Sequence, residues 1–187
     1  MKTLTKNNKS GKLALEELPI PKVTDNAILV KNFYSAVSVG TELSSIDIAK
    51  QNLLMKAKAR PNEFKKVLNL VKNEGFFSAY AKVMNRLDLP APLGYSSVGQ
   101  VIDCGKDVTE FKRSDIVACG GCGHSEIISV PKNLCVKIPK GVDFEEASMV
   151  TIASIALQGV RQSNCKVGEN IAVIGLGLIG QITMKLL

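Results

Sequence analysis

The sequence predicts a mostly β domain carrying a helical insertion, followed by the first strand, turn and helix of a truncated α/β domain. Three observations carry this: β-branched and aromatic runs before residue 42 and after residue 95, helical periodicity between residues 44 and 88, and an apolar run leading into G-x-G-x-x-G at residues 175–180. The expected boundaries are residues 1–150 for the first domain, with its insertion at about 44–88, and residues 151–187 for the connecting helix and the start of the second.

In chain order, the first 42 residues read as β-structure. Lys12–Leu15 is short and alternating, Ala27–Val39 is long and rich in β-branched and aromatic residues, and Pro19, Pro21 and Asp25-Asn26 punctuate between them. From Ser44 to Leu87 the texture is helical: Phe64, Val67, Leu68 and Val71 fall on one face after Pro61, Gly75 stops the run, and Phe77, Tyr80, Ala81, Met84 and Leu87 repeat the pattern. Strand texture resumes at Tyr95–Asp103, Asp115–Cys119, His124–Val130 and Cys135–Ile138. After Pro139 come a short helix at Phe144–Ala147 and a longer one at Thr151–Arg161, then the buried-type strand Asn170–Ile174 and a helix over Gln181–Leu187.

The chain has 187 residues, 45% of them hydrophobic and 22% charged, which is the balance of a packed globular protein. No apolar run reaches the roughly 18 residues of a membrane span, and the N-terminus lacks the apolar stretch of a secretion signal, so a cytoplasmic protein with no membrane partner is expected. The formal excess of +7 is local: Lys50–Arg86 holds nine basic and two acidic residues, and the remainder is neutral.

Five cysteines without a compact framework read as free thiols. Cys119-Gly120-Gly121-Cys122, with His124 nearby, has metal-like or redox-like spacing. A closed zinc site needs four ligands, however, and a thioredoxin-like C-x-x-C opens a helix, whereas this one lies in a Gly-rich turn. Buried or idle thiols are the expectation, with no metal, and His124 reads as a structural histidine.

The glycine motif carries the chemistry. Gly175 permits a tight turn, Gly177 lets backbone amides approach a pyrophosphate, and Gly180 lets the following helix pack close to the strand. Gly175, Leu176, Gly177, Leu178, Ile179 and Gly180 are therefore the candidate binding residues for NAD or NADP, the alternative being a tight turn without a ligand. The acidic residue expected about 20 positions later, on the ribose, would fall beyond Leu187.

The wider layout resembles the medium-chain (zinc-type) alcohol dehydrogenases. Val39-Gly40-Thr41-Glu42 is similar to their C-G-T-D segment, Leu93–Gly99 to L-G-H-E-x-x-G, Phe111–Val117 to F-x-x-G-D-R-V, and Val130–Leu134 with Ile138-Pro139 to V-P-x-x-N…x-x-P. The resemblance implies a GroES-like (chaperonin-10-like) barrel, then the start of a Rossmann domain, with a small-molecule substrate. It also exposes departures. Val39 stands where catalytic-zinc members carry cysteine, Tyr95-Ser96 where they carry His-Glu, and Thr151 near their third ligand. Valine cannot ligate zinc, so no zinc is expected. Thr41 and Tyr95 are then the candidate catalytic residues, polarising the substrate oxygen and relaying its proton; the alternatives are a turn hydrogen bond for Thr41 and volume filling for Tyr95.

Within that family, Pro92–Gly99, Val130–Pro139, Ser154–Arg161 and the basic insertion resemble the front half of two-part bacterial oxidoreductases. Their second half is of the glucose–fructose oxidoreductase type and is linked with cell-surface polysaccharide synthesis. The resemblance implies a sugar or sugar-nucleotide substrate and a missing C-terminal domain. The basic insertion would face an anionic sugar nucleotide or an acidic partner, or else be a solvated helical face; nucleic acid is not expected, for want of a recognisable motif. As an isolated fragment the chain is expected to be inactive, and its apolar C-terminal run to pair with a second copy or fold back. The competing reading is a non-catalytic interaction module that uses the basic helices as its surface.

Overall fold

The computed structural model describes residues 1–187 except Leu53, Leu54, Ala57, Ala59 and Arg60. The part of the predicted helical insertion that falls on those five residues lies outside the described residues. The chain divides into two units: residues 1–3, 17–38 and 94–187 form one, and residues 4–16 and 39–93 the other.

The first unit is built on strand β3 (Ala27–Ser35). Its alternation places Ile28 and Val30 inside, both 0% exposed, and leaves Lys31 in solvent. β3 lies between two antiparallel neighbours, β5 (Ser96–Cys104) and β7 (Ile127–Pro131). β6 (Ile116–Gly120) then pairs with β5, and β8 (Cys135–Lys137) with β6, giving the order β7-β3-β5-β6-β8. Val101, Val117, Cys119, Ile128 and Val130 close the core over Ile28 and Val30, with Phe111 and Val108 packed at its margin.

The β3–β5 ladder shifts register twice, between Leu29 and Val30 and between Asn32 and Tyr34. Gly99 of β5 sits at the second irregularity, where an added Cβ would stand 2.2 Å from the Lys31 carbonyl oxygen. No side chain fits there, so the absence of one at Gly99 is what lets the bulged strand pass.

Three helices follow the sheet in the chain. α4 (Phe144–Ala147) is capped by Asp143, whose carboxylate accepts from the Glu145 amide at 2.7 Å and the Glu146 amide at 3.4 Å. α5 (Val150–Ser163) buries Ile152 and Ala156, one turn apart, against β5 and β6, and it ends at Asn164 in the left-handed conformation (φ 51°). α6 (Leu178–Leu186) packs on α5.

In the second unit the sheet order is β2-β1-β4, with β1 (Lys2–Asn7) central, β2 (Leu13–Glu17) on one side and β4 (Pro90–Pro92) on the other. Proline lacks an amide proton, which confines β4 to an edge. α1 (Val39–Lys50) buries Ala49 and Glu42, and Lys6 of β1 donates to Ser45 of that helix. α2 (Pro61–Glu74) and α3 (Phe76–Asp88) pack on each other and meet at Gly75, whose φ of +83° only glycine adopts readily. Glu74 caps that junction by accepting from Ser78 and Lys82.

The mixture of a GroES-like sheet and inserted helices matches the expected fold class, while three local expectations change. The strand expected over Ala27–Val39 stops at Ser35, and Val39–Glu42 is the first turn of α1, where the carboxylate of Glu42 suits the positive end of a helix. No element is expected between Leu87 and Tyr95, yet Pro90 and Pro92 pair with Asn7 and Thr5 as part of β4. Asn170–Ile174 forms no strand and is paired with none of the described strands, and a lone extended segment has no ladder to stabilise it.

Two measurements test this framework. Gly99→Ala is expected to cost about 1–3 kcal/mol of stability in urea unfolding, because the β3–β5 approach must open. Asp115, hydrogen-bonded to Lys137 at 2.9 Å and to the Lys112 amide at 2.9 Å, is held below the usual carboxylate range by those contacts. A lowered folded pKa contributes stability above the unfolded value, near 3.9, and loses it as pH falls through the folded value. Asp115→Asn should therefore flatten the fall in melting temperature between pH 6 and about 3.

Candidate active site

The glycine turn has the geometry its sequence suggests. Gly175 has φ +95°, a region side chains avoid, and an added Cβ at Gly180 would stand 1.9 Å from the Gly175 carbonyl oxygen. Gly177 is the N-cap of α6, and nothing lies within 4 Å of where its Cβ would be. Leu176, Leu178 and Ile179 are exposed, and the first closing bond of the helix runs from the Gln181 amide to the Gly177 carbonyl at 3.0 Å. The opening amides of α6 lie at the positive end of a helix.

A second cluster gathers around the end of β5. Ser96, 1% exposed, donates to the Ser148 carbonyl at 2.5 Å and accepts from the Thr151 amide at 3.3 Å, which ties β5 to the start of α5. Half-buried Tyr95 precedes it, and its carbonyl accepts from the Gly121 amide at 2.8 Å. Gly120 lies close to Thr151: an added Cβ would be 3.2 Å from its hydroxyl. Tyr95, Gly120, Gly121 and Thr151 therefore converge on one end of the large sheet. Sequence reading singled out Tyr95 and Thr151 but missed Ser96 as the connecting hydroxyl; its only signal was a small polar residue entering a strand.

Thr41 belongs to the other unit, exposed in the first turn of α1. Val39 beside it is 62% exposed. His124 is built into the scaffold, with its Nδ1 2.7 Å from Ser35 Oγ and its ring over Gly94, where an added Cβ would come within 2.9 Å. Gly94 takes φ +97° to make that room.

Cys119 and Cys122 are both buried, and Cys122 Sγ faces Ser97 Oγ at 3.0 Å. Burial pushes the Cys122 thiol up, and the contact with Cys135 together with burial does the same to Cys119. Among the described residues, no three His, Cys, Asp or Glu side chains gather in a metal-holding arrangement.

No protein-family model matches the chain. It is 41% identical over 97 residues to D-guloside 3-dehydrogenase of Shigella flexneri, covering 50% of this chain and 27% of that protein. It is 29% identical over 124 residues to (R,R)-butanediol dehydrogenase of Bacillus subtilis, covering 52% of this chain and 36% of that protein. Among solved structures, galactitol-1-phosphate dehydrogenase of Escherichia coli superposes with a TM-score of 0.70 at 18% identity, over 100% of this chain and 52% of that one. The homologues are thus zinc-type, medium-chain alcohol dehydrogenases, and the fold is that of the GroES-like part of such enzymes. The chain spans only 27% and 36% of the lengths of these two curated relatives.

Ser96→Ala leaves the Thr151 amide and the Ser148 carbonyl without their shared partner, and is expected to cost about 1–3 kcal/mol in urea unfolding. Hydrogen exchange at the Thr151 and Ile152 amides should quicken in the same variant.

Proposed function

We propose that this chain is the front part of a nicotinamide-dependent, zinc-independent oxidoreductase acting on a sugar or sugar-nucleotide derivative. The observation that carries the proposal is the turn at Gly175–Gly180, with a left-handed first glycine, an open second one and no room for a side chain at the third. These residues fit a dinucleotide. The amides of Gly177, Leu178 and Ile179 would hold its pyrophosphate, and the bound nicotinamide would supply hydride exchange with the substrate carbon. On this reading residues 151–187 connect to and begin the nucleotide-binding domain, and the rest of that domain belongs to the full-length protein.

The donor set at the family's zinc positions supports the zinc-free part of the proposal, even though the relatives are zinc-type. Val39 offers no ligand atom, and the Ser96 hydroxyl is already committed to Ser148 and Thr151. The substrate oxygen would then be polarised and its proton relayed by hydroxyls, with Tyr95 and Thr41 the candidates. A sugar-type substrate draws on the guloside and butanediol relatives, both of which act on hydroxylated carbon chains by their names. Polysaccharide synthesis as the setting rests on the motif resemblance alone.

A second reading, an interaction module, is favoured by one observation. The helical hairpin, in the basic stretch of the chain, exposes Phe76 at 64% and Phe77 at 87%, a surface suited to a partner with apolar and acidic groups. The apolar stretch with Ile171, Ile174 and Leu176 is likewise exposed and would be covered by the rest of the nucleotide-binding domain or by a second copy.

Calorimetric titration of NADH and NADPH into residues 1–187 and into the full-length protein separates the readings. Binding by the full-length protein only, weakened at least about tenfold by Gly180→Ala, is the expected result. Binding by neither would leave the interaction module as the better account.

A further inference from the structure

The sequence pairs Cys119 with Cys122, but the fold pairs its sulfurs differently. Cys119 of β6 stands directly opposite Cys135 of β8 in the antiparallel ladder, and the two Sγ atoms are 3.8 Å apart. Cys122 instead points to Ser97 Oγ at 3.0 Å and to the Cys119 carbonyl at 3.5 Å. From this juxtaposition we propose that Cys119 and Cys135 are a reversible disulfide site whose oxidant is hydrogen peroxide.

Directly opposed residues of an antiparallel pair have Cα atoms about 4.5 to 5.5 Å apart, which falls inside the roughly 4.4–6.8 Å range of protein disulfides. The sulfurs need to approach by only about 1.8 Å to reach bonding distance, a shift that side-chain torsion supplies without moving either strand. Exposure divides the labour. Cys119 is 0% exposed and closed off in the core, whereas Cys135 is half-buried at the strand edge, next to the turn Lys132–Leu134. Contact with Cys119 also holds the Cys135 thiol below its ordinary range. Cys135 is therefore the sulfur that a small oxidant meets, and Cys119 the one that resolves it.

The chemistry balances in two displacements. The Cys135 thiolate attacks one oxygen of hydrogen peroxide; the O–O bond breaks, and hydroxide leaves and becomes water by taking up the thiol's proton. Sulfur is oxidised to the sulfenic acid as the peroxide is reduced. The Cys119 sulfur then attacks the Cys135 sulfur, the S–O bond breaks, and the departing hydroxide takes the Cys119 proton as a second water. The net change is two thiols and one peroxide to one disulfide and two waters, reversed by a dithiol reductant. The bond would staple β8 to β6 one residue from Gly120, which lies against Thr151.

Trypsin leaves Cys119 and Cys122 on Ser114–Lys132 and Cys135 on Asn133–Lys137, so the connectivity is directly readable. The full-length protein is treated with hydrogen peroxide, alkylated, digested and analysed by mass spectrometry with fragmentation. The expected product joins the two peptides through Cys119, is about 2 Da lighter than their sum, and disappears on reduction with dithiothreitol. It should persist in Cys122→Ser and be lost in Cys135→Ser. A bond internal to Ser114–Lys132, a cross-link through Cys122, or Cys135 recovered unlinked as a thiol or sulfinic acid would each overturn the proposal.

Discussion

The structure of the larger unit rests on how closely β5 is allowed to approach β3. Gly99 meets the Lys31 carbonyl where any side chain would collide, and the bulge at Phe33 lies on the other side of that contact. The close approach sets the register that sends Ile28 and Val30 inward on one strand and Val101 inward on the other. Everything downstream in the sheet inherits it: β6 is placed by β5, and β8 by β6.

That dependence reaches the candidate chemistry. Ser96 opens β5, so the strand's register decides where its hydroxyl stands, and through the Thr151 amide it decides where α5 begins. The Tyr95 carbonyl likewise anchors the turn after β6 by accepting from Gly121. The residues at this end of the sheet form a hydrogen-bonded scaffold that joins β5, β6 and α5. A buried hydroxyl with both a donor and an acceptor satisfied stabilises the junction.

Much of this was legible in the sequence because the signals were local. The β-branched and aromatic run that begins at Ala27, the apolar spacing after Pro61 and the spacing of Gly175, Gly177 and Gly180 each depend on residues a few positions apart. What escaped was decided by distant partners. The sequence could not show that Asn170–Ile174 lacks a neighbour, since strand propensity says nothing of whether a ladder is available. Nor could it show that Cys119 faces Cys135 rather than Cys122, because a 16-residue separation is bridged only by the pairing of β6 with β8. Val39–Glu42 was misread for a simpler reason: valine followed by glycine and threonine suits a strand end as well as a helix start, and the buried carboxylate of Glu42 that decides the matter is a tertiary feature.

The smallest strand has a consequence outside the fold. β4 is three residues long with proline at both ends, and its inner side is taken up by β1. Its outer side presents two ring nitrogens without a proton, which cannot donate to a stranger's backbone. Another chain's strand would find a poor template along this border, the arrangement by which edge prolines discourage fibril growth.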